Sequence, residues 1–306
     1  SGMMQWNEQQ LRDIAREQGT PCFVYSRDVL AERAHILLNL ELPFGLINRY
    51  AVKANNHPEV IRLFHEAGLE FDASSRYEAQ ELLEQGVPGE KISLSSQQPA
   101  HNLTELLAQG VQYVATSLHQ LELFLAAENH PSTVGLRVNP GIGAGHNNRT
   151  TTGGANSSFG LWQAYVPQAL EIVAAHGVSI DRLHIHIGSG ADPSMWGKMM
   201  ETALEIVEAM PDVTSLDMGG GYKIHRYGDE RETDMQAVGV KFGQLLQGYA
   251  EKTGRKLRLE IEPGTWLAGH AGVLLASAVD VVDTGADGHT FLRLNTGMND
   301  FARPGM

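Results

Sequence analysis

Four groups of residues have the types and spacing that could do chemistry together. Lys53 follows the apolar pair Ala51-Val52 at the end of a β-rich run. A lysine so placed either lays its stem along apolar surface with the ammonium in water or, desolvated, forms a Schiff base with a carbonyl compound. Gly219-Gly220-Gly221 is either a plain tight turn or a nest whose backbone N–H groups converge on an anion, and Ser189, inside Gly188-Ser189-Gly190, would add a hydroxyl donor. Glu262 ends an apolar-rich run and precedes Pro263-Gly264, a sharp turn that would aim a partly buried carboxylate out of the strand. His184 and His186 alternate on one run; one of them should present a flat imidazole inward, and a satisfied core position suits His184 better.

The elements that must position these groups alternate regularly. β-rich runs lie at 47–52, 70–73, 92–94, 113–115, 134–139, 183–187, 215–218 and 257–262, with helical periodicity between them at 58–67, 76–85, 118–127, 166–176, 196–210 and 235–252. Parallel neighbours need crossovers, so this alternation predicts an α/β fold, a (β/α)8 TIM barrel. In such a barrel the C-terminal strand ends face the active site. Lys53, Asp72, Arg137, His186, Gly219 and Glu262 all fall there.

The two ends of the chain do not fit the barrel. Residues 22–25 could be a stray strand, and 272–282 with 290–295 are two β-rich runs without a helix between them. They predict a lead-in over 1–30 partly belonging to a second domain, the barrel over 31–270, and the start of that mostly β domain over 271–306. On this expectation the second domain is largely missing, the chain is a fragment or a shortened product, and its activity is poor.

A formal charge of −13, from 23 Lys plus Arg against 36 Asp plus Glu, excludes nucleic acid and anionic membranes as main partners. No apolar run approaches the roughly 20 residues of a membrane span. The one cysteine, Cys22, excludes an internal disulfide and a cysteine-rich metal site, so no metal is expected and the cytoplasm is the expected compartment. An amine, an anion cradle, a carboxylate and a flat stacking group on one face together point to pyridoxal 5'-phosphate.

The same residues carry a family resemblance. Tyr50-Ala51-Val52-Lys53-Ala54-Asn55, His186-Ile187-Gly188-Ser189-Gly190, Asp217-Met218-Gly219-Gly220-Gly221-Tyr222 and Glu262-Pro263-Gly264 resemble, in order and spacing, the motifs of the fold-type III pyridoxal-phosphate decarboxylases, the diaminopimelate decarboxylases above all. The segments 71–78, 136–140 and 297–304 support the likeness. The resemblance implies that Lys53 holds the cofactor, His186 stacks on its ring, and Ser189 with Gly219, Gly220 and Gly221 binds its phosphate. It also implies that Glu262, beside Gly264, pairs with the ring nitrogen, that Asp72 and Arg137 support lysine and ring, and that Arg303 binds a substrate carboxylate.

The implied reaction is decarboxylation of a basic amino acid, meso-diaminopimelate to L-lysine plus CO2 in lysine biosynthesis, by a homodimer in the complete protein. Related decarboxylases of ornithine, lysine or carboxynorspermidine stand as alternatives, as do a racemase-like and a non-catalytic barrel. A racemase of this type is expected to place an arginine where Glu262 stands. The chain departs from the family pattern at Thr265, where an arginine is usual, and at Ser158, where a lysine is usual; Arg149 is a nearby cation that could replace the lost charge in substrate binding. Nothing corresponds to the family's C-terminal cysteine motif, and Cys22 is in the wrong place for it.

Overall fold

The computed structural model describes residues 6–141, 159–186, 188–226 and 228–296. The chain opens with α1 (Glu8–Gln18), β1 (Cys22–Tyr25) and α2 (Arg27–Leu38). The barrel strands and their crossovers follow as β2 (Leu46–Ala51), α3 (Pro58–Ala67), β3 (Glu70–Ala73), α4 (Arg76–Glu84), β4 (Ile92–Ser95), α5 (Leu103–Ala108), β5 (Gln112–Ala115), α6 (Leu118–Ala126) and β6 (Thr133–Asn139). They continue with the short β7 (Leu161–Trp162), α7 (Val166–Ala174), β8 (Ser179–His184), α8 (Pro193–Glu208), β9 (Ser215–Asp217), α9 (Met235–Thr253) and β10 (Arg258–Ile261). After α10 (Thr265–Ala268) come β11 (Gly272–Leu275), β12 (Ala278–Asp283) and β13 (Thr290–Leu294).

Strands β2, β3, β4, β5, β6, β8, β9 and β10 are parallel, and pairing of β10 with β2 and of β5 with β6 closes them into an eight-stranded barrel. Alternation along each strand divides its side chains between two surroundings. Tyr50 packs outward between Phe64, from α3, and Phe71, from β3. Their neighbours Arg49, Ser93, Gln112, Arg182, Ser215 and Glu260 point inward and meet as a polar floor. Arg49 Nε donates to Glu260 Oε1 at 2.7 Å, Arg182 Nη1 to the same oxygen at 3.2 Å, and Ser215 Oγ to Glu260 Oε2 at 2.5 Å. Arg182 Nη2 donates to Ser93 Oγ and Arg49 Nη2 to Gln112 Oε1. Burial alone would raise the Glu260 carboxyl, but the two guanidiniums and these hydrogen bonds outweigh it and hold it well below the usual range.

Helix starts are written locally. Ser75 caps α4 by accepting from the Glu78 N–H, and Glu78 reaches back to the Ser74 N–H. Ser117, Gln120 and Thr116 repeat the arrangement at α6. Both devices tie a strand end to the helix that follows it.

Three expectations need correction. The sixth barrel strand spans Ser179–His184, not 183–187, because its ladder with β6 starts at Thr133↔Ser179 and ends at Arg137↔His184; His186 lies beyond it. The run 272–282 is two strands, since its halves pair with different partners. The segment read as a stray strand, β1, pairs antiparallel with β11, Cys22 opposite Leu275. β12 pairs antiparallel with β13 instead, Val281 opposite Leu292. Among the described residues no helix is long and apolar enough to cross a membrane.

Candidate active site

Two residues further along the strands, directly above the polar floor, the inward side chains form a buried cluster at the C-terminal mouth. His184 Nε2 lies 3.2 Å from Glu262 Oε2, and ligand atoms of His184, Asp217 and Glu262 fall within 4.8 Å of one another. All three are buried, Asp217 completely. Backbone ladders extended past the strands place them: Ile185 N donates to Asp217 O, Met218 N to Glu260 O, and Glu262 N to Gly219 O.

Electrostatics in this cluster follow from desolvation. Burial raises Glu262 to about 7, helped by the charge of Asp72 and opposed by a hydrogen bond from Asp217 and the charges of Arg137 and Arg182. Asp217 is pushed well above the carboxylate range, first by burial and then by Glu262. Burial lowers His184 to about 4 and His186 well below its ordinary value. Burial thus favours the uncharged form of carboxyls and imidazoles alike. Asp72, at the end of β3, is raised to about 7 by burial, with the Lys53 charge the largest opposing influence.

Lys53 itself is exposed, the first of the two surroundings its sequence position allowed. β2 ends at Ala51, and a short 3-10 turn over Val52–Ala54 buries Val52 and leaves Lys53 accessible, its charge acting on Asp72 and His186. The Tyr50 hydroxyl, reaching round from the outer face, donates to Asn55 O at 2.9 Å and fastens that turn. Gly264 packs on the same turn; a Cβ there would sit 3.1 Å from both Ala51 Cβ and Ala54 Cβ. Arg137 is half-buried, its guanidinium 5.2 Å over the Phe159 ring, with Glu262, Asp72 and Asp217 as its surrounding carboxyls.

The glycine run behaves unevenly. Gly219 N–H is donated to Asp217 Oδ1 at 2.8 Å and Gly220 N–H to His186 Nδ1 at 3.2 Å, so two of the three expected anion-binding amides are committed inside the protein. Accepting at Nδ1 makes His186 carry its proton on Nε2. Among the described residues the Gly221 amide has no protein acceptor. Gly221 has φ +93°, and a Cβ there would lie 2.3 Å from Gly188 O and 3.0 Å from Ser189 Cα. Gly190 N donates to Gly221 O, so the loops after β8 and β9 touch, with the half-buried Ser189 in the loop that Gly221 meets.

His184, Asp217 and Tyr222 have more part in this cluster than sequence reasoning assigned them. His184 is not the fully satisfied core residue expected, since Nε2 faces Glu262 Oε2 and, among the described residues, Nδ1 is buried without a hydrogen-bond partner. Among the described residues the Tyr222 hydroxyl is likewise buried without one. The signal for His184 and Asp217 was available: both sit at even spacing from inward-facing Arg182 and Ser215. Arg149, Ser158 and Arg303 lie outside the described residues.

Fold and site together define a parallel-barrel enzyme of the pyridoxal-phosphate type. Residues 31–269 match the family model described as pyridoxal-dependent decarboxylase, pyridoxal binding domain. The chain is 31% identical over 303 residues to the diaminopimelate decarboxylase of Streptomyces coelicolor, covering 97% of this chain and 67% of that protein. It is 28% identical over 302 residues to that of Escherichia coli K12, covering 96% and 69%. A crystal structure of a diaminopimelate decarboxylase superposes with a TM-score of 0.85 at 27% identity, over 95% of this chain and 69% of the other. A lysine/ornithine decarboxylase from Vibrio vulnificus, at 20% identity and a TM-score of 0.77, shares the fold. The chain belongs to the pyridoxal-dependent decarboxylase family, and its cofactor is pyridoxal 5'-phosphate.

Proposed function

We propose that this protein decarboxylates a basic amino acid with pyridoxal phosphate, converting meso-diaminopimelate to L-lysine and CO2. The observation that carries the reading is Glu262: a buried carboxyl, poised near neutrality, at the centre of a barrel mouth with an exposed lysine on its rim. The relatives named above supply the substrate.

The residues fit the cofactor on two structural grounds. Among the described residues His184 Nδ1 and the Tyr222 hydroxyl are buried without a hydrogen-bond partner, and Gly221 keeps two loops in contact where any side chain would part them. Bound there, the cofactor supplies an electron sink for the pair of electrons left when CO2 departs. Lys53 offers the amine for covalent attachment, and Asp72 lies near it as counter-charge. Glu262 holds a proton at the ring nitrogen, which a cationic group at that position would repel. His186, neutral and fixed by the Gly220 N–H, presents its ring face, and Arg137 braces the carboxyls. Ser189 and the Gly221 amide, with the Gly219–Gly220 turn behind them, take the phosphate. Arg303 and Arg149 are assigned to substrate carboxylates from their sequence motifs alone.

Pairing of β1 with β11 supports a division into a cofactor-binding barrel over 31–270, a strand-and-helix lead-in over 1–30 that partly belongs to a second domain, and the start of that β domain over 271–306. A homodimer in the cytoplasm completes the proposal.

Borohydride reduction after loading with pyridoxal phosphate, followed by peptide mapping, tests the attachment: label at Lys53, and none in Lys53→Ala, is expected. Label elsewhere overturns it. CO2 release is then followed on meso-diaminopimelate, D-ornithine, L-lysine, L-ornithine and alanine. Racemisation of alanine without CO2 would overturn the decarboxylase reading.

A further inference from the structure

We propose that Thr233 is a positioning residue that sets the phosphate-binding loops without touching the cofactor. The inference rests on the reading that Ser189 and the Gly221 amide hold the phosphate. Thr233 lies in the connection between β9 and α9, one residue before the Asp234 cap, and is 1% exposed. Its hydroxyl accepts from Lys223 N at 2.7 Å and donates to Gly190 O at 3.0 Å. Its amide donates to Lys223 O at 2.9 Å, and its carbonyl accepts from Trp266 Nε1 at 3.1 Å. One buried threonine thus joins the loop after β8, the loop after β9 and α10, which begins three residues after Glu262.

The geometry gives this clip a direction. Gly190 O receives two donors, Thr233 Oγ1 and Trp196 Nε1, the latter at 3.2 Å. Gly190 N is committed to Gly221 O, and a Cβ on Gly190 would meet Met195 at 2.2 Å. The Gly190 peptide is therefore held at both polar ends and packed on its side. Rotation of that peptide would turn Ser189 and the Gly221 amide away from each other. Trp266 is anchored in turn by Arg33, whose guanidinium lies 4.4 Å over its ring and pairs with Glu232. A hydroxyl accepts from Lys223 and donates to Gly190 through a single oxygen. Valine has a similar shape and can do neither.

The test compares affinities for pyridoxal phosphate and for pyridoxal, which lacks the phosphate, in the full chain. Thr233→Val should weaken pyridoxal phosphate about tenfold, equivalent to about 1.4 kcal/mol, the scale of one buried hydrogen bond left unmade. Pyridoxal affinity should stay within about twofold of wild type, a split that general destabilisation would not give, and Thr233→Ser should restore both. Ser189→Ala serves as reference, because it removes a donor assigned to the phosphate itself. If Ser189→Ala lowers the preference for pyridoxal phosphate and Thr233→Val does not, the role of Thr233 is refuted. If Ser189→Ala leaves that preference intact, the phosphate reading is what fails. Should Thr233→Val not fold, Trp266→Phe removes the donor to Thr233 O, and an unchanged preference there refutes the clip equally.

Discussion

His184 Nε2 stands 3.2 Å from Glu262 Oε2 inside the barrel, and it is the imidazole that gives up its charge. Burial penalises the charged form of both groups, lowering the histidine to about 4 and raising the glutamic acid to about 7. Asp217 is likewise pushed well above the carboxylate range, first by burial and then by Glu262. The mouth thus presents a carboxyl that gains or loses a proton near neutral pH beside imidazoles that do not.

That arrangement has a pH signature in the cofactor-free protein. The folded value of Glu262, about 7, lies above its ordinary 4.5, so the native state binds the proton more tightly. Its stabilisation is full below the ordinary value and is lost as pH rises through the folded one. Glu262→Gln removes this dependence. Between those two pH values the variant should gain on wild type by about 3 kcal/mol, read from urea unfolding across pH. Parallel stability profiles would refute the assignment.

At Gly221, with φ +93° and a Cβ only 2.3 Å from Gly188 O, alanine is strained in backbone and contact alike. Gly221→Ala should cost about 2 kcal/mol or more and weaken pyridoxal phosphate binding. Gly228→Ala is the control, since a Cβ there meets nothing within 4 Å; it should stay within about 0.5 kcal/mol in thermal and urea unfolding.

The barrel floor makes a separate prediction. Glu260 is the shared acceptor for Arg49 and Arg182, all three buried. Glu260→Leu leaves two guanidiniums without their carboxylate and should cost about 3–5 kcal/mol in urea unfolding. The ratio of pyridoxal phosphate to pyridoxal affinity should not change, because the floor lies one layer below the cofactor cluster.

Tyr50→Phe removes the donor to Asn55 O and leaves the ring between Phe64 and Phe71. A stability loss of about 1 kcal/mol is expected. Freed of this tie, the turn carrying Lys53 should capture the cofactor more slowly in a borohydride-trapping time course. An unchanged rate would show that the hydroxyl serves stability alone.

The sequence by itself determined the alternation of strands and helices, hence the barrel, and with it the strand ends at which Lys53, Asp72, Arg137, the glycine run and Glu262 fall. These features are local: periodicity, capping residues and glycine or proline punctuation act within a few residues of one another. Tertiary structure decided which polar side chains became neighbours. Only the register between distant strands brings Arg49 to Glu260 and His184 to Glu262, turns the Gly220 amide to His186, and pairs Cys22–Tyr25 with Gly272–Leu275. The burial that sets the charge of Glu262, Asp217 and His184 arises once those strands have closed around them, so no window of sequence contains it.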